Sequence, residues 1–280
     1  MSEGLKDQVR EHWNRHPMDY DEVDALPGSK DFFRQVNSQF ADVCYFGQKK
    51  GRPIMSDLVD YDSLKGKKVL IVGCGMGTVS TEFARHGAIV TAIDLTPTAV
   101  KNTKKQMKLQ GVKGKVLVAD AENLPFADGS FDFVWSWGVI HHTPDTAKAA
   151  NEIHRVLRKG GKAFVMIYHK NSLFYYGHVV LFRGILQGRL SRMGARKLLN
   201  AYTDHSDKGG TPLAKCYSKR EAQKLFSRFE RVSTETYGVR NELYAVPFLR
   251  KYLYHLPDAL PDFFLHTLGL GWYLCARLRK

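Results

Sequence analysis

The sequence predicts an α/β fold built on a mainly parallel sheet with helices on both faces, and three observations carry that expectation. Strand-like and helix-like patterns alternate from residue 66 onward, the mark of βαβ units. The apolar run VLIVGCGMGTVS (69–80) ends in three glycines at alternate positions, Gly73, Gly75 and Gly77. Two later apolar runs end in an aspartate, Asp94 and Asp120.

Strands are expected at 67–72, 88–94, 115–120, 131–137 and 162–168, then at 231–238 and 272–279, about seven in all. Thr96-Pro97 places a capping hydroxyl before a proline at the first helical position, and the helix it opens runs to a stop at Gly111. Ser218 and Glu221 form the ends of a capping box before AQKLFSRF. Two departures interrupt the alternation. A helix over 5–16 precedes the sheet, and residues 169–217 are too long for a simple βα loop. No internal repeat or low-complexity tract is present.

With 280 residues, 44% of them hydrophobic, the chain can bury one large core. Cys44, Cys74, Cys216 and Cys275 lie far apart, with no C-x-x-C pair, which predicts reduced thiols and, with no secretory leader pattern, a cytoplasmic setting. The apolar runs 173–186 and 263–276 fall short of the ~20 residues that span a bilayer. The formal charge of +14 is uneven, +4 over residues 1–170 and +10 over 171–280. No carboxylate occurs between Glu152 and Asp204, a stretch with ten Lys and Arg. Such a field favours acidic ligands, nucleic acid or an anionic membrane.

The glycines let a ligand approach the backbone, and the next helix offers free N–H groups to a negative group. Walker-type phosphate binding requires a Lys that is missing here. The dinucleotide pattern places its last glycine where Thr78 stands, one residue after Gly77. Asp94 suits ribose hydroxyls in either nicotinamide or S-adenosylmethionine enzymes, so three stretches further along the chain decide between them: ADAENLPF (119–126), SFDFVWSWGVIHHTPD (130–145) and EIHRVLRKGGKAFV (152–165).

In this order and spacing, the set resembles the class I S-adenosylmethionine-dependent methyltransferases, similar to the group that includes ubiquinone and menaquinone methyltransferases. The resemblance covers roughly residues 66–168. It implies a Rossmann-like seven-stranded sheet with an antiparallel last strand, S-adenosylmethionine as cofactor and S-adenosylhomocysteine as product. It further implies that Gly73, Gly75 and Gly77 line the methionine portion, that Asp94 and Leu95 hold the ribose, that Asp120 and Ala121 flank the adenine, and that Trp137 and Gly138 lie below the sulfonium. Val72 stands where many relatives carry an acid, leaving the cofactor's amino group to backbone carbonyls or the N-terminal helix. The division expected is a helical lid over 1–65, a cofactor-binding core over 66–168, an inserted basic amphipathic cap over 169–217 and the completion of the sheet over 218–280.

Adjacent His141 and His142 cannot share a helix face and are poor joint metal ligands. His141 is the candidate for touching substrate and, with Tyr168, for taking a proton; His142 is read as a loop-shaping histidine bonded to backbone. Trp13, Pro17 and Tyr20 belong to the lid, with Tyr20 a candidate for closing the acceptor pocket. The cap mixes aromatic and aliphatic residues with Arg183, Arg189, Arg192, Arg196 and Lys197, so Arg183 and Arg189 are candidate acceptor-binding residues and the cap a candidate contact for an anionic membrane.

The expected chemistry is in-line methyl transfer, without a metal, to a small-molecule or lipid-like acceptor, apolar and in one version anionic. An RNA methyltransferase using the basic last third is the alternative, although no N-P-P-[YF] tetrad comes after the fourth strand. A non-catalytic cofactor-binding module is the third reading. Acceptor identity, the atom methylated and oligomeric state stay open.

Overall fold

The structure is a computed structural model that describes residues 2–17, 23–43, 52–204, 209–238 and 263–280. Its centre is a sheet in the order β3-β2-β1-β4-β5-β8-β7. The strands are β1 (Lys68–Val72), β2 (Ile89–Asp94), β3 (Lys115–Val118), β4 (Phe131–Trp137), β5 (Leu157–His169), β7 (Arg231–Tyr237) and β8 (Tyr273–Arg279). The first five pair in parallel, and β8 runs antiparallel to both β5 and β7.

An eighth strand, absent from the sequence expectation, is the short β6 (Cys216–Tyr217), which pairs in parallel with Tyr168 and His169. It lies beyond the last pairing of β4 with β5, Trp137 with Met166. Two residues carry no readable period, so only the pairing reveals it. The fifth strand also begins earlier than expected, at Leu157, because a register shift between Phe131 and Phe133 takes up the glycine pair Gly160-Gly161.

Period-2 alternation places Val69, Ile71, Trp135 and Phe164 on one face and Leu70, Val72, Val134 and Val165 on the other. The first face is covered by α3 (Thr78–Arg85) and α4 (Pro97–Leu109), through Phe83, Val100 and Met107. The second is covered by α5 (Thr146–Val156) and α7 (Lys219–Leu225), through Ile153, Val156 and Ala222. Helix ends obey local chemistry: the Thr96 hydroxyl accepts from Ala99 N before Pro97, and the Ser218–Glu221 capping box is fully formed.

Before the sheet come α1 (Ser2–Arg15) and α2 (Lys30–Val43). Phe32, Phe33 and Val36 of α2 bury against Met76 of the glycine loop, and Asn37 Oδ1 accepts from the Thr78 hydroxyl at 2.6 Å and from Gln106 at 2.9 Å. Between β5 and β6, a helical segment of π type (Phe174–Leu186) packs on α6 (Leu190–Tyr202), with Val179, Leu198 and Leu199 buried. Gly184 permits this close approach, since a Cβ there would stand 3.1 Å from Leu198 Cδ2.

Candidate active site

The strand order reverses between β1 and β4, so the connections leaving their carboxyl ends diverge and open a crevice. A cavity of about 410 Å³ occupies it. Its floor comes from the turn after β1. Gly73 has φ +78°, and a Cβ there would lie 2.1 Å from Val139 Cγ2; Gly77, at φ +88°, leaves room for the Thr103 backbone and starts α3. Gly73 and Gly75 line the cavity, whereas Gly77 lies behind them and shapes the turn.

Asp94 and Leu95 line the cavity at the end of β2. The Asp94 carboxylate accepts from Gly75 N at 3.1 Å and from the Thr96 amide and hydroxyl at 3.0 and 2.9 Å. Burial pushes its pKa up while these donors pull the other way, the net shift being upward. Next along, after β3, come Asp120 and Ala121. Asp120 Oδ1 accepts from Glu122 N at 2.8 Å, and Oδ2 meets Lys6 Nζ at 2.6 Å. Lys6 reaches Glu122 as well, at 2.7 Å.

Glu122, which sequence reasoning passed over, is buried and lines the cavity; its other oxygen accepts from Asp145 N at 2.7 Å. Its signal was its place two residues after Asp120 inside ADAENLPF. Lys6, Val9, Trp13 and Pro17 put α1 and its exit over this end, with Trp13 edge-on to His142 at 5.1 Å. Tyr20 lies outside the described residues.

Toward β4 and β5 the wall is formed by Trp137, Gly138, Met166, Tyr168 and Tyr273, with Phe40 of α2 opposite. Here the structure separates the two histidines. His141 is fully buried, its ring 3.9 Å from that of Tyr168, and both ring nitrogens lack a hydrogen-bond partner among the described residues. Burial, reinforced by His142 and Lys215, holds its pKa well below the ordinary histidine range, so the ring is neutral. His142, not His141, stands on the cavity wall, and its Nδ1 meets Leu213 O at 2.6 Å.

Asp204, also unanticipated, completes this end. It accepts a hydrogen bond from the Tyr168 hydroxyl and stands 3.4 Å from His142 Nε2. Its signal was its position as the first carboxylate after Glu152. Arg183 and Arg189 do not line the cavity; both guanidiniums lie over the Tyr202 ring, at 4.9 and 5.2 Å.

Residues 70–165, which carry the glycine turn and the aspartates Asp94 and Asp120, match the family model of a methyltransferase domain. That stretch is a methyltransferase domain. The chain is 40% identical over 111 residues to the chloroplastic tocopherol O-methyltransferase of Arabidopsis thaliana, covering 38% of this chain and 32% of that protein. Over 128 residues it is 35% identical to the ubiquinone biosynthesis O-methyltransferase of Pseudomonas aeruginosa, covering 44% of this chain and 54% of that protein. The chain thus spans from about a third to about half the length of these relatives.

Among solved structures, the PH0226 protein of Pyrococcus horikoshii has a TM-score of 0.53 at 15% identity, covering 96% of this chain and 98% of that one. The [4+2]-cyclase SpnF has a TM-score of 0.54 at 18% identity, covering 89% and 92%. These likenesses establish the fold.

The methyltransferase domain implies S-adenosylmethionine, and the residues present fit it. Gly73 and Gly75 line the cavity with backbone, Val139 occupying the place that a side chain at Gly73 would take. Carboxylates at the ends of β2 and β3 supply acceptors for ribose hydroxyls and an exocyclic amine. Aromatic Trp137 and Tyr273 stand beyond them, 5.5 Å apart.

Proposed function

We propose that the chain transfers a methyl group from S-adenosylmethionine to a small-molecule or lipid-like acceptor. The observation that carries this reading is the continuity of one cavity from the acids after β2 and β3 to an aromatic chamber after β4 and β5. Gly73, Gly75, Asp94, Asp120 and Ala121 would hold the cofactor, and Trp137 and Gly138 would lie beside its reactive end. When bound, S-adenosylmethionine supplies an activated methyl group on a sulfonium.

The protein's own task is alignment and exclusion of water. Phe40, Met166 and Tyr273 offer an apolar acceptor its surface, and α1 covers the opening with Trp13. The names of the relatives, both O-methyltransferases, support oxygen as the atom methylated. A fold shared with a cyclase does not by itself specify methyl transfer; the acids and the glycine turn are what favour it.

The outer face of the cap extends the reading. Tyr176, Leu181, Ile185 and Leu186 are exposed beside Arg183 and Arg189, a combination suited to peripheral contact with an anionic membrane. No described helix is long and apolar enough to cross one.

The test uses methyl-labelled S-adenosylmethionine with a host extract separated into lipid, RNA, protein and small-metabolite fractions. Label in lipid or apolar metabolites is expected. Label in RNase-sensitive material would replace this reading with RNA methylation, and absence of cofactor binding by calorimetry would leave a module without catalysis.

A further inference from the structure

We propose that Gln39 holds the carboxylate of the cofactor's amino-acid end, its side-chain amide donating the hydrogen bond; this rests on the methyl-transfer reading above. The packing of α2 sets its place. Asn37 Oδ1 accepts from the hydroxyl of Thr78, the first residue of α3, at 2.6 Å and from Gln106 of α4 at 2.9 Å, while Val36 buries in one cluster with Met76 of the glycine turn. The helix is thereby fastened across that turn. Val36, Gln39 and Phe40, spaced i, i+3 and i+4 and so on one face, all line the cavity. Their neighbours are apolar, so Gln39 is the polar group that α2 presents there.

Hydrogen-bond donors are scarce at this end. The Gly73 and Cys74 amides both donate to Ile93 O at 2.9 Å, the Gly77 amide to Cys74 O at 2.8 Å, and the Gly75 amide to Asp94 Oδ2 at 3.1 Å. The turn therefore gives a ligand its shape and not these four N–H groups. Lys6, the lysine on the cavity wall, is committed to Asp120 and Glu122 beyond the end of β3. Among the described residues no arginine lines the cavity. The Gln39 amide, by contrast, makes no hydrogen bond to another described residue.

With adenine at the end of β3 and ribose at the end of β2, the amino-acid end of the cofactor falls at the turn after β1, under α2. That end is a zwitterion. Its ammonium needs acceptors, which backbone carbonyls at strand ends supply, whereas its carboxylate needs donors and is costly to bury without them. Val72 has no polar group to offer either charge. Gln39 Nε2 brings two N–H donors to a wall otherwise short of them, and a neutral amide adds no net charge beside an overall neutral group. Gln39 thus distinguishes ligands that carry the carboxylate from adenosine derivatives that lack it.

The experiment measures, by displacement calorimetry, the binding of S-adenosylhomocysteine and of its decarboxylated analogue, which keeps the ammonium and lacks only the carboxylate. Wild type is compared with Gln39→Leu and Gln39→Glu. Gln39→Leu should weaken S-adenosylhomocysteine by about 10–100-fold, the loss of a hydrogen bond to a charged group, and leave the analogue within about twofold of wild type, the additivity limit for groups that do not interact. Gln39→Glu, which sets a second carboxylate against the first, should weaken S-adenosylhomocysteine further than Leu does and spare the analogue. Equal losses for the two ligands would make Gln39 a wall residue that does not touch the carboxylate. That result, unchanged affinity for S-adenosylhomocysteine in Gln39→Leu, or equal affinity of the wild type for both ligands would each overturn the proposal. Failure of the wild type to bind S-adenosylhomocysteine would instead remove the cofactor reading on which it rests.

Discussion

The Gly75 amide donates to Asp94 Oδ2 at 3.1 Å, tying the turn after β1 to the end of β2 across 19 residues. The same carboxylate holds Thr96. Asp94 thus shapes the turn and the start of α4 as well as the cavity.

Asp94→Ala should therefore do two things: lower cofactor affinity by at least about tenfold, the loss of one or two hydrogen bonds to a charged group, and loosen the turn. Asp94→Asn keeps one oxygen acceptor and should retain more stability than Ala while still losing affinity. Calorimetry and urea unfolding on both variants read the two effects apart; affinity equal to wild type in either one would remove Asp94 from the cofactor site.

Gly73 and Gly111 both have positive φ, +78° and +69°, yet among the described residues only Gly73 of the two meets a neighbour. Gly111→Ala should cost about 1–2 kcal/mol, the left-handed penalty alone. Gly73→Ala adds a contact of 2.1 Å to Val139 Cγ2, so it should be the more destabilising and should also shrink the cavity. Chemical denaturation of the two variants checks the order; equal losses would show that Val139 moves aside freely.

Lys6 holds Asp120 and Glu122 together. Although its own burial lowers its pKa, the two carboxylates outweigh that and the net shift is upward. Lys6→Met leaves buried Glu122 without its cation, so α1 should detach more often at a cost of about 1–3 kcal/mol. Limited proteolysis at Arg10 and Arg15 should speed up accordingly. Cleavage at the wild-type rate would show that Trp13 and Val9 suffice to hold the helix.

The Arg155 guanidinium beside Glu152, at 2.7 Å, holds that carboxyl below the usual glutamate range, and Leu124 N adds a bond of 2.8 Å. A depressed folded-state pKa means that the contribution is present above the unfolded value of about 4.3. It is lost as pH falls through the folded value. Glu152→Gln should lower thermal stability at neutral pH and flatten its decline in acid. A parallel decline in both proteins would assign acid sensitivity elsewhere.

Much of the fold was legible because its causes are local. The alternation of Val69, Leu70, Ile71 and Val72 sorts itself between two faces, Thr96-Pro97 starts a helix wherever it sits, and the capping box at Ser218 closes within one turn. The short β6 was not legible, since two residues have no period. Nor was the orientation of the cap: its sequence marks arginines and apolar residues without saying that Arg183 and Arg189 would turn toward Tyr202.

By itself, the sequence determined the order of the seven longer strands, the glycine turn and the aspartates that follow the second and third apolar runs, because backbone freedom and hydrophobic period are written over a few neighbouring residues. Only the tertiary structure decided which histidine reaches the cavity, and that Asp204 joins it. Tyr168 and Asp204 are 36 residues apart, and His142 and Leu213 are 71 apart. Contacts across such separations are fixed by how β5, the cap and β6 pack together, and no local pattern encodes that packing.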